Sequence, residues 1–146
     1  TVFEPTASSI ELEGKGYIVA SVGEASGEIP YTAYYALDSY IKKNPQIIQS
    51  FTNALYKAQK WVAEHSAEEI AKVIAPAFPD ANPDIMVKAI ARYKEIDAYC
   101  SVPMMTQESF DRLQLVMETA GELSKKAPYA DIVDNSFGEK AFATIK

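Results

Sequence analysis

The longest stretch in which apolar residues keep a helical beat is residues 44–65, NPQIIQSFTNALYKAQKWVAEH. Ile47, Ile48, Phe51, Leu55, Ala58, Trp61 and Val62 recur at steps of three and four, while Gln46, Gln49, Asn53, Lys57, Lys60 and Glu64 take the other side. This spacing predicts one long helix with a stripe turned toward a core. Asn44 is placed to accept a first-turn N–H, and Pro45 suits the first helical position, where its missing donor costs nothing. Burying the larger side chains of that stripe, at roughly 1.5–3 kcal/mol each, sets a gross upper bound on the order of 10–20 kcal/mol before ordering entropy is subtracted. Such a helix needs a sheet or other helices to cover it.

Upstream, residues 1–5, TVFEP, read as the end of a strand giving way to a helix. Pro5 opens that helix, which runs through Thr6, Ala7, Ser8, Ser9, Ile10 and Leu12 until Gly14 and Gly16 end it. Residues 17–22, YIVASV, are β-branched and apolar and predict a buried strand, and residues 31–37, YTAYYAL, predict another. Between them GEASGEIP, residues 23–30, reads as a loop or crossing segment. Asp38 is suited to cap a short helical turn through Tyr40 and Ile41.

Downstream, Ser66-Ala67-Glu68-Glu69 is a capping box that opens a helix carrying Ile70, Val73 and Ile74 inward and stopping near Pro76. Asn82-Pro83 starts a third helix through Ile85, Met86, Ala89, Ile90 and Tyr93. Residues 100–105 form a proline-containing connector, and Thr106 caps a fourth helix through Phe110, Leu113, Val116, Met117, Ala120 and Leu123, closed by Pro128. Turn formers at Asp134 and Asn135 precede a last short helix around residues 137–142. Several helices with only two complete strands, and a third cut at the start, predict an incomplete portion of a larger α/β architecture. A two-stranded sheet is marginal in water, so another chain is expected to complete it.

Composition changes this picture little. The chain has 146 residues, 48% of them hydrophobic and 23% charged, within the range of one globular domain. A formal charge of −6 and the lack of any dense Lys/Arg cluster argue against nucleic acid as a partner. No apolar run approaches the roughly 20 residues of a membrane span. The single cysteine, Cys100, permits no internal disulfide.

Most candidate sites have a plain structural reading. Asp80, Asn82 and Asp84 imitate the first ligands of a calcium loop, but Pro83 stiffens the turn and Ile85 stands where such a loop needs glycine, so they read as a helix start. His65, the only histidine, lies where a helix C-terminus favours positive charge. Cys100 with Met104 and Met105 suggests soft-metal binding less than it suggests packing. Glu68, Glu69, Glu95 and Asp97 read as solvated acids at helix ends. No cofactor or metal is expected. Glu4-Pro5-Thr6 stands apart, because an acid at the end of a strand, just before a helix N-terminus, is where open α/β sheets present ligands. Helix capping by Glu4 accounts for the same residues equally well.

The blocks FEPTASSIELEGKGYIVASVG, GEIPYTAYYALDSYIKKNPQIIQSFTNALYKAQKWV and PYADIVDNSFGEKAF resemble the second half of the solute-binding proteins of ABC importers for nitrate, sulfonates, taurine and thiamine-pyrimidine precursors. The resemblance implies a C-terminal portion of a two-lobed α/β fold, periplasmic-binding-protein-like, that traps a small solute in a cleft and delivers it to an ABC permease. It implies that residues 1–22 end the second lobe, residues 23–30 form the return crossing, and residues 31–146 complete the first lobe. It also implies an N-terminal half outside this sequence, and an extracytoplasmic location, in the periplasm or on the outer face of the membrane as a lipoprotein. By position Glu4, Pro5 and Thr6 would face the cleft, with Ser21, Gly23, Ser26, Tyr31 and Tyr34 near the crossing. Tyrosines give flat walls with a polar rim, which suits small polar solutes. The only arginines, Arg92 and Arg112, lie far along the chain, so no clamp for an anion is evident, and Glu4 would favour an amine-bearing or pyrimidine-like ligand. A non-enzyme is expected. The alternatives are a pyrimidine-precursor synthase of the same fold, using histidine and metal, and a ligand-sensing or helical interaction module.

Overall fold

The computed structural model describes residues 1–146, and all of its regular structure is helical. In order these are α1 (Thr6–Leu12), α2 (Val22–Ser26), α3 (Asp38–Lys43), α4 (Pro45–Glu64), α5 (Ala67–Ile74), a 3-10 turn (Ala75–Ala77), α6 (Pro83–Glu95), α7 (Gln107–Thr119), α8 (Tyr129–Ile132) and α9 (Ser136–Thr144). None is long and apolar enough to cross a membrane.

This corrects the expected α/β class. Residues 1–3, 17–21 and 31–37 lie outside any helix or strand, and no sheet forms. Composition makes a segment suitable for a strand, but only a ladder of backbone hydrogen bonds to a neighbouring strand makes it one, and no such ladder forms. Within 23–30, read as loop, the residues up to Ser26 instead belong to α2, which Ser21 starts by accepting the Glu24 N–H on its hydroxyl at 3.2 Å.

Local end signals are obeyed more closely. Gly14 closes α1 with φ +66°, a conformation that favours glycine. Ser66 and Glu69 form the reciprocal capping box of α5, Asn82 accepts the Asp84 and Ile85 N–H groups at the head of α6, and Thr106 caps α7. Two ends differ. Asn44 turns its side-chain amide back to the Tyr40 carbonyl, ending α3 rather than starting α4. α7 stops at Thr119, well before Pro128, because Gly121 takes φ +77°.

The chain divides into two compact units. The first holds residues 1–25 and 60–101, the second residues 26–59 and 102–146, so α4 passes from one to the other at 59–60. In the first unit Ile70, Ala71 and Ile90 are buried, and Trp61, Val62, Ile74, Met86, Val87 and Tyr99 pack around them. The Lys94 ammonium donates to the carbonyls of Val62, at 2.6 Å, and His65, occupying acceptors that the end of α4 would otherwise leave unpaired.

In the second unit Tyr56, Phe110 and Ala141 are the buried apolar residues. Phe110 meets Tyr129 edge-on at 5.7 Å, and the Asn135 amide both accepts from Met105 N–H and donates to its carbonyl. Gln114, also buried, accepts the Ala127 N–H at 2.7 Å. The α4 stripe is covered less than its periodicity predicts, since Ile47 and Phe51 are about half exposed. α9 crosses the 100–105 connector so closely that a Cβ on Gly138 would sit 2.4 Å from the Pro103 carbonyl oxygen. Gly138→Ala should therefore destabilise the protein by roughly 1–3 kcal/mol, as overpacking against backbone does, while Gly16→Ala, which meets the Ile10 Cγ2 methyl at 3.1 Å and no backbone, should cost less; paired urea melts will show the difference.

Candidate functional site

The most developed polar cluster lies in the first unit, around Arg92. Pro5 precedes α1, whose residues Ser8 and Glu11 lie on the face turned toward α6. Arg92, in the last turn of α6, sends one guanidinium nitrogen to Glu4 Oε1 at 2.9 Å and to the buried Ser8 hydroxyl at 2.8 Å, and the other nitrogen to Glu11. The second oxygen of Glu4 accepts the Ser8 N–H at 3.1 Å, and Glu11 also accepts the Ile18 N–H at 3.0 Å. One cation thus holds two carboxylates and a hydroxyl in fixed positions.

The electrostatics follow. The Glu4 side chain is only 6% exposed. Burial alone would raise its carboxyl, but the bonds from Arg92 and Ser8 outweigh it and hold Glu4 below its ordinary value. Glu11 is lowered first by the Ile18 N–H and then by Arg92. Ionised Glu4 is therefore neutralised from within the chain, which removes the reason for expecting it to attract an amine-bearing ligand.

The other expected site residues are scattered in their roles. Pro5 accepts the Ser9 N–H and hydroxyl, and Thr6 is exposed at the first position of α1. Ser21 caps α2, and a Cβ on Gly23 would stand 3.4 Å from Ile96. In the second unit the Ser26 hydroxyl donates to the Gly27 carbonyl. Tyr31 and Tyr34 are 78% and 74% exposed, and Tyr34 meets Phe51 edge-on at 4.8 Å. Glu4 joins a network with a segment 88 residues away. Arg92 was missed because it lies 88 residues from Glu4, and no local signal pairs them; its place in the last turn of α6 is the one clue.

The enzyme alternative would draw on His65. Its Nδ1 lies 2.7 Å from the Trp61 carbonyl, which can only accept, so this nitrogen carries the proton, and the ring stacks on Trp61 at 4.2 Å. No group of three or more His, Cys, Asp or Glu side chains is placed to hold a metal ion. The second unit has an open hollow of about 500 Å³ lined by Pro45, Gln46, Gln49, Ser50, Phe137 and Lys140. Gln49 is already spent on Asn53 and the Phe137 carbonyl.

Removing the cation leaves the buried Glu4 carboxylate without its counter-charge, held by Ser8 alone. Arg92→Leu should cost about 1.5–3 kcal/mol at pH 7, the usual worth of hydrogen bonds to charged groups. Because Glu4 is lowered on folding, this contribution is present above the ordinary carboxylate range and fades as pH falls through the lowered native value. Denaturant melts at pH 7 and pH 3 should show the gap between native and Arg92→Leu protein closing in acid; a gap that widens would contradict the pairing.

Over 139 residues the chain is 45% identical to a protein of Bacillus subtilis (strain 168) named "Putative binding protein YtlA". The match takes in 95% of this chain and 42% of that protein, so the chain spans about two fifths of the length of this curated relative. No family model matches the chain, and no solved structure matches it. At this level of identity the chain is similar to a protein named for binding.

Proposed function

We propose that this chain is part of a small-molecule binding protein without catalytic activity, one that serves an ABC importer and works outside the cytoplasmic membrane. The observation that carries the binding role is the 45% identity, along nearly the whole chain, to a relative named a binding protein. The importer, its permease and the solute class of nitrate, sulfonates, taurine or pyrimidine-like compounds rest on the resemblance of the EPT, PYTAYY and NP blocks.

Among the candidate residues, Tyr31 and Tyr34 are the ones proposed to touch solute. Both rings are open to it, and Phe51 steadies Tyr34 from the side. Glu4, Pro5 and Ser21 already spend their polar atoms inside the fold. Ring faces with a hydroxyl at the rim orient a small polar solute and release it readily.

A thermal-shift screen against nitrate, alkylsulfonates, taurine and pyrimidines tests this. A solute present at a hundred times its dissociation constant adds about 2.7 kcal/mol, which in a chain of this size raises Tm by about 5–10 °C. Tyr34→Ala should weaken the responding solute about tenfold or more by calorimetry. A flat response to every class would sink the solute reading.

A further inference from the structure

The hollow of about 500 Å³ in the second unit lies between the start of α4 and the start of α9. Gln46, Gln49 and Ser50 stand on one face of α4, at spacings of three and four, and Phe137 and Lys140 stand three apart on α9. Its walls are fixed before anything enters. Gln49 Nε2 reaches across to the Phe137 carbonyl at 3.0 Å, and Tyr56 on α4 meets Phe142 on α9 at 5.8 Å. Ala141 is fully buried, and Gly138 fits α9 closely against the Pro103 carbonyl. A cleft already held in shape loses little binding energy to ordering its own walls.

The lining is chemically divided. Pro45 and the partly buried Phe137 ring make an apolar part, whereas the side chains of Gln46, Ser50 and Lys140 make no hydrogen bond or ion pair within the chain. Those three offer an amide N–H₂, a hydroxyl and an ammonium, all able to donate. Gln49 differs, since its amide already serves Asn53 and the Phe137 carbonyl. Lys140 is a cation and no Asp or Glu lines the hollow, although the chain as a whole carries a charge of −6. Unopposed positive charge beside free donors favours an anion, and an apolar wall next to them favours a carbon body on that anion. The volume lies within the roughly 300–1,000 Å³ of small-molecule sites.

We infer that this hollow is a binding site for a small organic anion with an apolar body. Lys140 takes its charge, Ser50 and Gln46 donate to its oxygens, and Phe137 with Pro45 covers the carbon part. The site shares no residue with the solute surface proposed at Tyr31 and Tyr34, so either can fail without the other.

An NMR titration of the full chain with benzoate, benzamide and inorganic sulfate tests this. Benzoate should give saturable shifts centred on Gln46, Ser50, Phe137 and Lys140. Benzamide, the same shape without the charge, and sulfate, the charge without the ring, should each bind about fivefold or more weakly. Lys140→Gln should lose about fivefold or more in benzoate affinity while Lys140→Arg keeps most of it. Both variants should melt as the native chain does, because the Lys140 side chain is exposed and unpaired. Tyr34→Ala should leave benzoate affinity unchanged. Shifts that fail to saturate or that centre elsewhere overturn the proposal. So does benzamide or sulfate binding as tightly as benzoate, full affinity in Lys140→Gln, or a loss of affinity in Tyr34→Ala.

Discussion

The first unit depends on one guanidinium. Arg92 is the point at which α1 is held to α6, and it satisfies two carboxylates and a buried hydroxyl that would otherwise each carry a desolvation penalty. Little else could hold α1 there, since Ser8 is its only buried residue. The apolar core formed by α5 and α6 is small, so polar bonds carry an unusual share of the organisation. Lys94, two residues along α6, does for the end of α4 what Arg92 does for α1.

The parts of the fold legible in the sequence are those fixed within one turn. Ser66 with Glu69, Asn82 before Pro83, Thr106 and Gly14 each mark a helix end through bonds to neighbours three or four residues away, and all four behave as read. The strand expectation failed for the opposite reason. YIVASV and YTAYYAL have the right residues, but strand formation depends on hydrogen-bonded neighbours that composition does not supply. Asn44 shows the same limit at small scale: its amide had two helix ends within reach, and the carbonyl at the end of α3 took it.

The candidate site was legible only in part. Glu4 was expected to face a ligand or to cap its helix, and the structure pairs it with Arg92, 88 residues away, which no local pattern marks. The tyrosines of the second unit lie exposed, and it is on that exposure that the solute proposal rests.

Trp61 is the only tryptophan, and it lies in the first unit, against the Ile70–Ile90 cluster and the His65 ring. Its fluorescence therefore reports on that unit alone. Far-ultraviolet circular dichroism sums the helices of both. If the two signals are lost at different denaturant concentrations, the halves melt as independent cooperative blocks; if the curves superpose, one transition governs the entire polypeptide.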